Sequence, residues 1–197
     1  MAASHQWSQE MQAAGTGPDA AAHAATALVN VCDLLKYNTV VNGLAQQGDM
    51  ASSQQWLEKM KAAGVNPNHA TYSAMVDGFA QLGDMADSQQ WFERMQAAGV
   101  KPTAITYSAM VRGFARQGDM AAGQRWFVGM QAAGMQPDLA TYNAMVNGYA
   151  RQGDMAQSQR WLEEMQAAGL KPNLAFHDAM VKVFAQQGGT ATGQGWP

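Results

Sequence analysis

The chain has 197 residues, with 15 acidic against 12 basic side chains and a formal net charge of −3; at 47% hydrophobic content it can bury a sizeable core, which excludes wholesale disorder. No apolar run reaches the roughly 18 residues of a membrane span, and the single cysteine, Cys32, excludes an internal disulfide, a cysteine-based zinc site and an iron–sulfur cluster. Mild acidity argues against a strongly basic nucleic-acid binder, whose nonspecific affinity comes from Lys and Arg on phosphates.

Against this background the inventory of 15 Met, 6 Trp and 20 Gly is unusual, and repetition accounts for it. Tyr37, Tyr72, Tyr107 and Tyr142 recur every 35 residues, as do Trp56, Trp91, Trp126, Trp161 and Trp196. Self-similarity at a fixed period identifies a repeat architecture before any local assignment is made. The frame is 34–68, 69–103, 104–138 and 139–173, with a partial fifth unit at 174–197. Thirteen Met fall into three columns: Met75, Met110, Met145 and Met180; Met50, Met85, Met120 and Met155; and Met11, Met60, Met95, Met130 and Met165. Methionine fills irregular helical cores, so these columns read as core rather than as thioether ligands.

In chain order, residues 1–33 read as a degenerate N-terminal helical cap. QWSQEMQAAGTGPD at 6–19 copies the second helix and turn of a unit, and AATALVNVC at 24–32 reads as an extra first helix running into Asp33 and Leu34. Residues 34–173 predict four units of two antiparallel helices each. In the second unit Tyr72, Met75, Val76 and Phe79 share one helical face, and Gly83 offers a left-handed stop. Asp84 is the expected N-cap of the next helix, whose anchors are Met85, Trp91, Phe92 and Met95, and Gly99 closes it. The turn Val100-Lys101-Pro102-Thr103 leads into the next unit. A hairpin of this kind cannot bury its apolar faces alone, so neighbours must stack. The fifth unit loses its second helix to the Gly-rich GGTATGQGWP. Atypical terminal units cap an array, although an excerpt from a longer array would carry the same pattern.

The units TYSAMVDGFAQLGDMADSQQWFERMQAAGVKPT and TYNAMVNGYARQGDMAQSQRWLEEMQAAGLKPN resemble the pentatricopeptide repeat. The match lies in the Tyr-containing first helix, the glycine before the second, the aromatic-x-x-x-Met stretch and the Gly-x-x-Pro-Asn turn. It covers residue 34 to about 187 and part of 6–33. The resemblance implies an all-α fold, a right-handed α-solenoid of antiparallel helix-turn-helix repeats, and recognition of single-stranded RNA rather than DNA at one base per unit. It also implies an organellar location, mitochondrion or chloroplast.

In the resembled family the fifth and last residues of a unit read the base edge. Carried over by position, the pairs are Asn38 with Asn68, Ser73 with Thr103, Ser108 with Asp138, and Asn143 with Asn173. The first and fourth resemble pyrimidine readers and the third a guanine reader, while Ser73 with Thr103 departs from the family pattern and assigns no base. These small polar residues serve equally well as helix caps beside the turns. The second residue of successive units sandwiches the base, a column that here reads Leu35, Ala70, Ile105, Ala140 and Ala175. Its alanines offer a base less surface than the branched residue usual in the family. The phosphate-facing column is Gln46, Gln81, Arg116, Arg151 and Gln186, so Arg116 and Arg151 alone can neutralise phosphate, with Arg112 near in sequence. Glu10, Asp19 and Asp33 account for the whole charge imbalance, leaving the repeat array neutral.

Catalysis finds no support. His5, His23, His69 and His177 lie far apart without ligand spacing, and no zinc-deaminase signature is present. The Gly-Asp-Met triads at 48–50, 83–85, 118–120 and 153–155 read as turn and cap residues, since one carboxylate per turn is a poor site for hard cations. No cofactor or metal is expected. MAASHQWSQEM shows neither an Arg-rich amphipathic stretch nor an apolar signal core. Two function classes remain: a binder of short single-stranded RNA acting in transcript expression, processing or stability, and a scaffold making protein–protein contacts in a large organellar assembly such as a ribosome or a membrane energy-transducing complex.

Overall fold

A computed structural model describes the backbone of residues 18–172 and the side chains from Cys32 onward. The expected copy of a second helix at 6–19, save Pro18 and Asp19, lies outside the described residues, as do Asn173 and the partial fifth unit with Ala175, His177, Met180, Gln186 and Trp196. The described chain is all helical: α1 (Pro18–Gln46), α2 (Met50–Ala62), α3 (His69–Leu82), α4 (Met85–Ala97), α5 (Ala104–Gln117), α6 (Met120–Ala132), α7 (Leu139–Arg151) and α8 (Met155–Ala167). The 24–32 segment is continuous with the first helix of the first unit, because α1 runs 29 residues without a break. Pro18 sits at its start, where a missing N–H costs nothing.

Local chemistry sets the helix ends. Asp49, Asp84, Asp119 and Asp154 each accept a backbone N–H from the first turn of the second helix. Hydrogen bonds from the Ser52 hydroxyl and backbone N–H hold the Asp49 carboxyl below its ordinary value. The preceding glycines must be left-handed, with φ of +83° at Gly83 and +84° at Gly118. At the first of these the Asp84 N–H bonds Phe79 O at 2.9 Å, closing the helix in the six-residue pattern typical of a glycine stop.

Each first helix (α1, α3, α5, α7) packs on its own second helix, α1, α3 and α5 pack as well on the first helix of the next unit, and each of α2, α4 and α6 also reaches the following first helix. The second helices have no comparable contact with one another. First helices therefore form the tighter tier of the stack.

The described methionines of the three columns belong to the core. Met60, Met95, Met130 and Met165 are fully buried, as are Met75, Met110 and Met145. A third column joins the units: a Cβ placed on Gly78 would lie 2.6 Å from Met50 Sδ, and Met85 and Met120 sit over Gly113 and Gly148 in the same way. Within units, Tyr packs on Trp at centroid distances of 6.0 Å (Tyr37–Trp56) to 6.3 Å (Tyr142–Trp161). Between units, Phe92 lies edge-on to Tyr107 and Trp126, and Phe127 to Tyr142 and Trp161. Burial, with a smaller contribution from Glu164, pushes the Tyr142 phenol above its ordinary value.

Candidate functional site

The residues singled out by position converge at the N-terminal ends of the first helices. Asn68, Thr103 and Asp138 are the N-caps of α3, α5 and α7. Beside each cap stands the fifth residue of the same 35-residue unit, and between the two lies the third residue of the next unit, a threonine in every described instance.

In the first cluster Asn38 Nδ2 donates to Asn68 Oδ1 at 3.2 Å, and the Thr71 hydroxyl donates to Asn38 Oδ1 at 2.5 Å. Asn68 Oδ1 also accepts the backbone N–H groups of Ala70 and Thr71. In the second, Ser73 Oγ and Thr106 Oγ1 are 2.7 Å apart, and Thr103 Oγ1 lies 3.2 Å from the same Thr106 oxygen. In the third, Ser108 Oγ is 2.7 Å from Thr141 Oγ1, whose hydroxyl donates to Asp138 Oδ1 at 2.6 Å. The fourth differs: Asn143 Oδ1 is buried without a hydrogen-bond partner. In sequence, its unit is followed not by a third-position threonine but by Phe176, which has no hydroxyl to give.

Residues that the resemblance marks as base readers are thus also helix caps. The caps use one side-chain oxygen of Asn68 and of Asp138, which leaves the amide nitrogen of the first and the second carboxylate oxygen of the other outside the cap bonds. Asp138 is exposed, whereas Ser73 and Ser108 are only 7% and 5% exposed. The threonine column Thr71, Thr106 and Thr141 shows in the sequence only as a 35-residue spacing, and its place between cap and fifth residue shows only in the fold.

The second-position column faces solvent. Leu35 and Ile105 are 60% and 67% exposed, among the few large hydrophobic side chains left outside the described core, and Ala70 and Ala140 are exposed as well.

The basic residues are less free than sequence implies. Arg112 pairs with Asp77 at 2.7 Å, so it does not extend a positive patch. Arg116 Nη2 donates to the Gln81 carbonyl of the preceding unit, and Arg151 Nη2 donates to the Ala115 carbonyl at 3.1 Å. Both guanidinium side chains remain exposed and keep further donors. Among the described residues no group of three or more His, Cys, Asp or Glu is placed to hold a metal, and no helix is long and apolar enough to cross a membrane.

Family models match most of the repeat array: the PPR repeat family over residues 33–81, and the pentacotripeptide-repeat region of PRORP over residues 77–192. The chain belongs to the pentatricopeptide repeat family. No curated protein matches the chain. Among solved structures, this pentatricopeptide repeat chain is similar to PPR10 from maize, crystallised in complex with an 18-nt psaJ RNA element. There the identity is 23% and the TM-score 0.72, covering 91% of this chain and 24% of that one. It is also similar to the PPR domain of Arabidopsis thaliana protein-only RNase P 1 in complex with tRNA, at 20% identity and TM-score 0.62, covering 79% of this chain and 81% of that one. A third likeness is nuclear proteinaceous RNase P 2 from A. thaliana, at 17% identity and TM-score 0.60, covering 79% and 35%. These likenesses concern the solenoid fold, and the chain spans about a quarter of the length of PPR10.

Proposed function

We propose that this protein binds a short stretch of single-stranded RNA along its first-helix tier, one base per unit, as a non-catalytic factor in the expression, processing or stability of organellar transcripts. The observation that carries the reading is the repeated juxtaposition of a polar cluster with a solvent-facing second-position residue. Leu35 stands one helical turn from Asn38, and Ile105 one turn from Ser108, so an unstacked base could lie on the apolar side chain with its Watson–Crick edge at the cluster. The RNA complexes of PPR10 and of the RNase P 1 domain, which share the solenoid, support it.

By resemblance, the preference along the chain is pyrimidine, any base, guanine, pyrimidine, read 5′ to 3′. Stacking contributes about 1–3 kcal/mol per base, so four units bind weakly unless a partner or a longer array adds contacts. Fluorescence polarisation at low and moderate salt should show single-stranded RNA of that pattern binding better than permuted RNA or single-stranded DNA. Equal binding of all of them would sink the reading. Ser108→Asn with Asp138 retained should move the third position from guanine toward uracil.

A second reading, a scaffold contacting protein subunits of an organellar assembly, is favoured by the commitment of Arg112, Arg116 and Arg151 to partners within the solenoid. Purification of the protein with one stoichiometric partner that survives nuclease would support it.

A further inference from the structure

Building on the RNA-binding reading, the geometry points to the third-position threonine as the residue that sets the hydrogen-bond polarity of each base-reading pair. Thr141 has one hydroxyl hydrogen. The Asp138 carboxylate accepts it at 2.6 Å and has none to return. The 2.7 Å contact between Ser108 and Thr141 then requires Ser108 to donate. The Ser108 proton is spent inward, and the serine can show a ligand nothing but lone pairs. With the second Asp138 oxygen, the third pair is acceptor-only. Of the four bases, guanine is the one whose Watson–Crick edge carries adjacent donors, N1–H and the 2-amino group, whereas adenine puts an acceptor at N1.

The first pair is polarised the opposite way. Thr71 gives its proton to Asn38 Oδ1 at 2.5 Å, its contact to Asn68 Oδ1 being longer at 3.2 Å, and Asn38 gives an amide hydrogen to Asn68 Oδ1, which already takes two backbone N–H groups. Both side-chain oxygens are consumed, and Asn68 Nδ2 remains as a donor suited to the carbonyl oxygens of pyrimidines. In the second pair Thr106 lies between two hydroxyls, Ser73 and Thr103, either of which can take its proton. No direction is imposed, and no base is selected. The fourth pair, followed in sequence by Phe176, has the one fifth-position oxygen left buried and unbonded among the described clusters. Three pairs of related chemistry thus differ in what stands on either side of one hydroxyl, and the fourth is followed by no such hydroxyl.

The test varies the third base of a short single-stranded RNA between guanine and adenine and compares wild type, Thr141→Val and Thr141→Ser by fluorescence polarisation. Wild type should favour guanine by about tenfold, within the range of one good bidentate contact. Thr141→Val, nearly isosteric but without the hydroxyl, should reduce the ratio to about twofold, and Thr141→Ser should restore it. A ratio unchanged in Thr141→Val overturns the inference and leaves the RNA reading intact, whereas a wild type that binds no RNA overturns both. Because Thr141 is fully buried, a gain-of-function pair guards against misfolding. Thr103→Asp should create a guanine preference at the second base, and Thr103→Asp with Thr106→Val should not. Equal guanine preference in both would also overturn the proposal.

Discussion

Single positions in this solenoid can be judged against their copies. Ser53, Ser88 and Ser158, all buried in second helices, donate to the carbonyls of Val41, Val76 and Val146 in their own first helices at 2.8–3.0 Å. The third unit has Gly123 instead, and a Cβ there would lie 3.8 Å from Val111 O and 3.4 Å from Met145 Sδ. Those neighbours match the Ser88 pair, whose hydroxyl is also 3.2 Å from Met110 Sδ. Gly123→Ser therefore adds a helix-favouring residue and a buried hydrogen bond to an oxygen already in place. It should stabilise the protein by about 1 kcal/mol, and urea unfolding followed by circular dichroism measures it; no gain would mean that the third hairpin has closed around the missing side chain. Gly123 interrupts the serine column of positions 53, 88 and 158, but the spacing does not say that the column's hydroxyl answers a carbonyl twelve residues earlier. Distances across a hairpin depend on how two helices cross, which periodicity does not encode.

At the scale of helices, periodicity gave the elements and their ends: Gly83 and Asp84 stop and restart the chain where the sequence predicts, and the described column methionines are buried, save the half-buried Met155. It did not distinguish two kinds of glycine. Gly48, Gly83 and Gly118 are left-handed stops, whereas Gly43, Gly78, Gly113 and Gly148 lie within first helices, where the last three receive a methionine from the preceding unit. A glycine that makes room for a neighbour is invisible until the neighbour is placed. Gly113→Val should push Met85 aside and approach Ala80, whose Cβ is 3.0 Å from the Cβ position, costing about 2 kcal/mol through overpacking. Gly43 meets nothing within 4 Å, so Gly43→Ala should instead stabilise by about 1 kcal/mol through helix propensity. Thermal unfolding of the two variants checks the contrast, and a matching sign would refute the methionine-over-glycine account of stacking.

At the scale of the whole molecule, the first-helix tier carries its cations as ties between units. Arg112 reaches Asp77, Arg116 the Gln81 carbonyl and Arg151 the Ala115 carbonyl, while the Gln117 amide donates to the Gly83 carbonyl and Gln152 repeats that contact on Gly118. The sequence aligns Arg116 and Arg151 in one column, but a column does not say whether a guanidinium points outward or back along the stack. If RNA lies along this tier, Arg116 and Arg151 are the cations left with spare donors. Two phosphate contacts on a single strand give a log–log salt slope of about −1.4. Asp77→Asn keeps the shape of the pair but removes the charge that holds Arg112. The pair is partly exposed, at 40% and 28% for the two side chains, so its loss should cost at most about 1 kcal/mol of stability. Arg112 is then a third cation on the same tier, and RNA affinity at low salt should rise while the slope steepens by about 0.7. Titrations at several salt concentrations with wild type and Asp77→Asn measure both quantities. Unchanged affinity together with an unchanged slope would place the RNA path away from Arg112, whereas a tighter complex with no change in slope would show that Asp77 acts by repelling phosphate rather than by occupying the arginine.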